Sequence, residues 1–173
     1  MKSAAWRRQL LPALADPLLA SWLREPGSLT RRCQRGSQQF RVRVLRSGWL
    51  RPMRDEVGRR QLLRVREVVL ECDGVPVIFA HSVLLTATNG RLTRWLGGLG
   101  SRSLGSLLFA HPGFRREPLE FKRLDQRHPL FRLASRWAPG EASLLARRST
   151  HHFAGQSLCV TEVLLPALAA VGR

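Results

Sequence analysis

Residues 66–82, REVVLECDGVPVIFAHS, constrain the fold more than any other stretch of the chain. Asp73-Gly74 lies between two runs of strand-forming residues. A two-residue type I′ turn needs positive φ, which Asp and Gly tolerate. The stretch therefore predicts a hairpin, roughly 61–72 paired with 75–86. On the incoming strand Leu62, Arg64, Arg66, Val68, Leu70 and Cys72 share one face. Three of the last four are apolar and the fourth is Arg66, a guanidinium on a face headed for the core, which is costly unless something anionic meets it. Two readings stay open there. One is an internal salt bridge or a place at the rim of the core. The other is a clamp for a small anionic ligand.

A second charged group sits in an apolar stripe near the other end of the chain. Leu158, Val160, Glu162 and Leu164 share a face of a strand expected over 156–165. Glu162 either pairs with an Arg or is an acid whose pKa is raised by desolvation or lowered by an Arg neighbour.

Between these points the chain reads as short helices and hairpin-linked strands. Residues 1–15 read as a partly ordered arm and 16–173 as a single domain. Asp16-Pro17 predicts a helix start, with Asp as N-cap and Pro in the first turn. Leu18, Leu19, Trp22 and Leu23 have helical spacing, and Pro26-Gly27 ends the helix. Ser28 opens a second short helix closed by Gly36. Backbone N–H groups at its start, in the Gly-Ser-Leu-Thr step, either face an anion or belong to a plain capped turn. Residues 39–45 alternate as a half-buried strand with Arg41 and Arg43 outward, broken by Ser47-Gly48-Trp49 and Pro52. Residues 53–58 read as a polar turn, and Asn89-Gly90 as another. Leu92, Trp95, Leu96 and Leu99 suit a short helix, and Ser103 is a good N-cap for 104–109. A strand over 119–124, a loop-rich stretch over 125–141, and strands over 142–153 and 156–165 joined at Ala154-Gly155 complete the chain. The count is six strands, mostly hairpin-linked. It predicts an α+β domain with an antiparallel sheet covered by helices.

With 173 residues the chain holds one ordinary domain, and its 44% apolar content is that of a globular protein. The net charge of +17 comes almost wholly from Arg. Such a balance suits nucleic acid, an anionic membrane surface or an acidic substrate, or reflects Arg-rich codon usage. The basic residues are spread evenly, and no nucleic-acid motif accompanies them, so no specific nucleic-acid partner is expected. Cys33, Cys72 and Cys159 form no CxxC and suggest no disulfide framework, which points to a reducing, cytoplasmic compartment. Asp16-Pro17 interrupts the apolar run over 10–14, so the N-terminus reads as an amphipathic helix rather than a cleaved signal. No apolar run is long enough to span a bilayer.

Several chemistries lack their motifs. There is no HExxH, Cys/His cluster or Asp-rich loop for a metal. His151 and His152 are adjacent on a strand, point to opposite faces and cannot easily share one ion. Gly98-Leu99-Gly100 is followed by Ser103 where a dinucleotide loop needs a third Gly, and there is no P-loop or Gly-x-Ser-x-Gly elbow. An inward Arg, an inward carboxylate and two helix starts remain, a set suited to holding a small dianion and moving a proton.

The chain resembles the chorismate–pyruvate lyase family over about residues 22–166. The resemblance rests on motifs in family order: Gly27-Ser28-Leu29-Thr30, then Val42-Arg43-Val44-Leu45-Arg46-Ser47-Gly48-Trp49, then Arg66-Glu67-Val68-Val69-Leu70 with Asp73-Gly74. Ser103-Leu104-Gly105-Ser106-Leu107-Leu108-Phe109, Pro118-Leu119-Glu120-Phe121, Ala146-Arg147-Arg148-Ser149 and Val160-Thr161-Glu162-Val163-Leu164-Leu165-Pro166 follow. The resemblance implies a six-stranded antiparallel sheet with helical flaps over an enclosed site. It also implies pyruvate elimination from chorismate to give 4-hydroxybenzoate, on the way to ubiquinone, by a monomer with no cofactor and no metal. It places Arg66 on the ring carboxylate and Glu162 near the hydroxyl, with Leu29 and Leu104 adding main-chain contacts. Some members carry Met at the position of Leu29. The alternative is a non-catalytic small-anion-binding domain of the same fold, as in the effector domains of some bacterial regulators. Those follow a helix-turn-helix, for which the residues before Trp22 are too few.

Overall fold

The computed structural model describes residues 5–9, 16–53, 55–56, 61–86 and 89–172. Its strands are β1 (Phe40–Leu50), β2 (Leu63–Cys72), β3 (Val75–Leu84), β4 (Arg115–Arg116), β5 (Glu120–Asp125), β6 (Ser143–Phe153) and β7 (Gln156–Leu164). They form one antiparallel sheet in the order β1-β2-β3-β7-β6, with β4 and β5 both on the outer edge of β6. Six of these strands are the expected ones. The seventh, β4, is a two-residue pairing of Arg115 and Arg116 with His152 and His151. The helices are α1 (Pro17–Arg24), α2 (Leu29–Arg35), α3 (Arg91–Gly97), α4 (Leu104–Ala110) and α5 (Pro129–Ala134).

The central hairpin forms as its turn residues dictate. Asp73 and Gly74 take φ of 51° and 81°. The Asp73 carboxylate also accepts from the backbone N–H groups of Gln38 and Gln39, fastening the turn to the start of β1. Asp16 and Ser28 cap α1 and α2 through their side chains, and Ser103 caps α4. A capping side chain takes up a backbone N–H that the first turn leaves without a partner.

Three expectations are corrected. Ser47-Gly48-Trp49 does not end β1. The pairing shifts by one residue between Val44 and Arg46, and Ser47, Gly48 and Trp49 then pair with Arg66, Val65 and Arg64. An extra residue in an edge strand is absorbed as a bulge, so the strand runs on to Leu50. Residues 125–141 are not mainly loop, because His128 caps α5 and Pro129 fills its first turn. Asn89-Gly90 is not a tight turn; Gly90 is the N-cap residue of α3. The 53–58 turn is described at Met53, Asp55 and Glu56, where the Glu56 N–H donates to the Met53 carbonyl. Of the arm, residues 1–4 and 10–15 lie outside the described residues, and Arg7 pairs with Phe121 at the outer edge of β5.

The sheet separates two packed layers. On one face α1 and α2 bury Trp22, Leu23, Leu29 and Cys33 against Val42, Val68, Leu70, Ile78 and Leu164. On the same face α3 and α4 bury Leu92, Leu96, Leu104 and Leu108 against Leu84, Phe153 and Leu158. The opposite face packs Val69, Phe79, Ala146 and Val163 under α5. The two helix pairs meet over the middle of the first face.

Candidate active site

The inward residues of the sheet meet in two rows under that meeting point. Arg66, Ser82, Val160 and Ser149 are in register across β2, β3, β7 and β6. Val68, Ala80, Glu162 and Arg147 form the next row. Arg66 and Glu162 are therefore two strands apart, about 10 Å, and offset by about 7 Å along the strands. Ala80, Ser82 and Val160 between them are small, which leaves room above the sheet. A partly enclosed cavity of about 40 Å³ lies there. One water needs about 10–15 Å³, so this is a built space rather than a packing defect.

Helix starts form the roof. Ser28 and Thr30 of α2 and Ser103, Leu104 and Gly105 of α4 line the cavity, with Leu108 and Phe109 beyond them. The Ser103 hydroxyl donates to Thr30 Oγ1 at 2.9 Å, joining the two starts. Gly105 permits this approach, since a Cβ there would stand 2.5 Å from Ser28 Oγ. Leu104 lines the cavity. The Leu29 side chain does not; it is packed in the core between Ser28 and Thr30, which do line it. Leu29 and Leu104 are each the first residue of a helix, where backbone N–H groups have no intrahelical partner.

Arg66 is only 3% exposed. Its Nη2 donates to the carbonyls of Gly100 and Arg102, both at 3.0 Å, and so holds the link between α3 and α4. Among the described residues no carboxylate pairs with it, which removes the internal salt bridge. Burial alone pulls its pKa down to about 10, so it stays cationic at neutral pH.

Glu162 does have an Arg partner. Arg147 Nε donates to Glu162 Oε2 at 2.7 Å, and Arg147 Nη1 donates to the carbonyls of Glu25 at 2.6 Å and Leu23 at 3.4 Å. Arg147 is 1% exposed, whereas the Glu162 side chain is 17% exposed. The Arg is the fixed member, and it aims the carboxylate into the cavity.

Arg116, Ser149 and His151 complete the wall on the β6 side. Arg116 Nε donates to Ser149 Oγ at 3.0 Å and its Nη1 to the Pro26 carbonyl at 2.7 Å. His151 Nε2 is 3.1 Å from Ser149 Oγ. Burial, with the charges of Arg116, His152 and Arg147, pushes the His151 pKa down to about 4, so the ring is neutral at pH 7. His152 points the other way, to Ser157 and Glu117. The lining thus carries three guanidiniums against one carboxylate, an excess of two positive charges.

Sequence reasoning gives Arg147, Arg116 and His151 no role at the site; His151 enters it only as half of a pair unsuited to a metal and Arg147 only within a motif. The available signal was the inward face of β6, where Arg147, Ser149 and His151 follow Leu145 in a strand whose neighbour β7 is apolar on that face apart from Glu162. Among the described residues no three His, Cys, Asp or Glu side chains converge as metal ligands would.

Comparison with known proteins identifies the family. The chorismate lyase family profile matches residues 1–170. A probable chorismate pyruvate-lyase of Dechloromonas aromatica is 58% identical over 97% of this chain and 98% of its own. One of Halorhodospira halophila is 43% identical, over 95% and 91%. Among solved structures, the effector domain of PhnF from Mycobacterium smegmatis superposes with a TM-score of 0.55, covering 81% of this chain and 89% of that one. At 15% identity this is a likeness of fold alone. On the family profile and these relatives, the chain belongs to the chorismate lyase family.

Proposed function

We propose that the protein eliminates pyruvate from chorismate, leaves 4-hydroxybenzoate, and does so without a metal or organic cofactor. The observation that carries this reading is the cavity itself, with a buried unpaired guanidinium at one end and an Arg-held carboxylate at the other, in a chain of this family. Chorismate carries two carboxylates, and the cavity's excess of two positive charges matches them.

In this reading Arg66 takes the ring carboxylate through a charge-assisted contact, with main-chain N–H groups of Leu29 and Leu104 beside it. Glu162 accepts from the ring hydroxyl at the far end. The C–H bond on the hydroxyl-bearing carbon breaks, and its electron pair completes the aromatic ring. The neighbouring ether C–O bond breaks with its pair leaving on the enolpyruvyl oxygen, and a proton added to the methylene carbon yields pyruvate. Aromaticity supplies the driving force. The protein's part is to exclude water, fix the reactive conformer and accept or relay the proton. Glu162, a water and the substrate's own side chain are the three groups that can take the ring proton.

We further place the protein in the cytoplasm as a monomer, with no specific nucleic-acid partner, supplying 4-hydroxybenzoate for ubiquinone. The three cysteines are buried free thiols, as suits a reducing compartment. No helix among the described residues is long and apolar enough to cross a membrane. The test is to incubate purified, chelator-treated protein with chorismate and measure 4-hydroxybenzoate and pyruvate. Equal amounts of both are expected. Absence of both overturns the enzyme reading, and activity that returns only with a divalent ion overturns the cofactor-free one.

A further inference from the structure

We propose that Arg116 is the receptor for the second carboxylate of the substrate, the one carried by the enolpyruvyl group that leaves. This deepens the chorismate reading and rests on it.

The geometry of the guanidinium comes first. Two of its three nitrogens are fixed, Nε on Ser149 Oγ and Nη1 on the Pro26 carbonyl. The plane also lies 5.5 Å from the Phe109 ring centre. Nη2 has no hydrogen-bond partner among the described residues, and no carboxylate forms an ion pair with the group. Arg116 is therefore held rigidly at the cavity with a charge and a donor to spare.

Its position fits the substrate. Arg116 is opposite His151 in the pairing of β4 with β6, at the edge of the cavity far from Arg66 on β2. It lies near the Glu162–Arg147 pair, whose opposed charges both act on it. In chorismate the ring hydroxyl is across the ring from the ring carboxylate, and the ether is on the carbon next to the hydroxyl. With the ring carboxylate at Arg66 and the hydroxyl at Glu162, the enolpyruvyl group emerges beside Glu162. Two guanidiniums stand there. Arg147 already serves Glu162 and the Glu25 and Leu23 carbonyls. Arg116 is the one with a donor left.

The contact has a chemical consequence. Gripping the enolpyruvyl carboxylate holds the ether C–O bond out of the ring plane, the orientation in which it breaks as the ring becomes aromatic. It also keeps a positive charge beside the leaving enolate as its negative charge develops.

The test uses the difference between substrate and product, because 4-hydroxybenzoate lacks the second carboxylate. Arg116→Gln should bind 4-hydroxybenzoate within about twofold of wild type, while kcat/KM for chorismate falls about tenfold to a hundredfold, the worth of a charge-assisted contact. Arg116→Lys should recover part of that loss. A comparison on the unaltered protein does not depend on how the variants fold. 4-Hydroxybenzoate bearing a carboxymethoxy group next to its hydroxyl should bind wild type about tenfold more tightly than the matching carbamoylmethoxy compound. Equal affinity of those two compounds for wild type overturns the proposal. So does a parallel loss of 4-hydroxybenzoate and chorismate binding in Arg116→Gln, or no loss of either. A wild-type protein that does not turn over chorismate at all overturns the enzyme reading instead.

Discussion

Arg66 offsets the cost of burial only in part, through the carbonyls of Gly100 and Arg102. Those bonds satisfy donors but do not neutralise the charge, so the site still favours an anion. Arg66→Ala should weaken 4-hydroxybenzoate binding about tenfold to over a hundredfold, from the loss of about 1.5–3 kcal/mol. Arg66→Lys should recover only part, because one ammonium cannot hold two carbonyls and a carboxylate in one plane. Unchanged affinity by titration would put the clamp elsewhere. Glu162→Gln keeps a hydrogen-bond acceptor for Arg147 Nε but removes proton acceptance. The variant should fold and bind 4-hydroxybenzoate yet lose about 10²-fold or more in single-turnover pyruvate release. Near-normal release would assign the proton to water or to the substrate. Both residues were legible in the sequence because strand alternation put Glu162 in an otherwise apolar stripe and Arg66 at the start of an apolar run, before Val68, Leu70 and Cys72. Arg147 and His151 were not, because the inward side of β6 mixes Leu145 with Arg147, Ser149 and His151 and marks no apolar face. Arg116 belongs to a two-residue strand, too short to show any period.

Turn chemistry made most elements readable, and its misreadings have local causes. Asp16-Pro17 and His128-Pro129 are the same device, with a side chain accepting from the N–H two residues on and Pro in the first turn. The first was legible because Asp is a common cap. The second was not, because His is a rare one. Likewise Gly48 suggests a strand end, yet in an edge strand beside a bulge it is tolerated. The β6–β7 turn offers a test of the same logic. Ala154 holds φ of 48° and Gly155 φ of 75°, and Ala154 is exposed. A non-glycine residue in this region costs about 1–2 kcal/mol, and Asn visits it far more readily than Ala. Ala154→Asn, which creates an Asn-Gly turn, should stabilise the protein by up to about 1 kcal/mol. The measurement is the urea midpoint at unchanged m-value. A midpoint that stays or falls would mean the left-handed conformation carries no strain there.

Charge acts on the molecule as a whole in two ways. The net +17 should steer a dianionic substrate, so kcat/KM should fall with ionic strength while kcat holds. A flat salt profile would retire steering and leave the site chemistry untouched. The second effect is on stability, through two buried histidines shifted in opposite directions on opposite faces of the sheet. His81 on β3 is 2% exposed, with Nδ1 3.2 Å from Glu67 Oε1 and Nε2 3.3 Å from Glu56 Oε2. Burial works to lower its pKa, but the two glutamates outweigh it and raise the value to about 9. Folded protein then keeps a proton that the unfolded chain gives up above its ordinary value near 6.5. The His81 contribution is complete below pH 6.5 and is lost as pH rises to about 9, about 3 kcal/mol in all. His151 has the reverse sign, since its pKa is depressed to about 4 by burial and by Arg116, His152 and Arg147. Its contribution is present above pH 6.5 and lost as pH falls toward 4. The contribution of the two histidines together is therefore greatest near pH 6.5. Cys33 and Cys72 also shift in opposite directions, the first up and the second down to about 7. The His81 share is therefore read as a difference, from denaturation of wild type and His81→Gln across pH 6–9. The variant should be the less stable at pH 6.5, and the gap should shrink by about 3 kcal/mol by pH 9. A gap that does not change with pH would mean that His81 is neutral between its two glutamates.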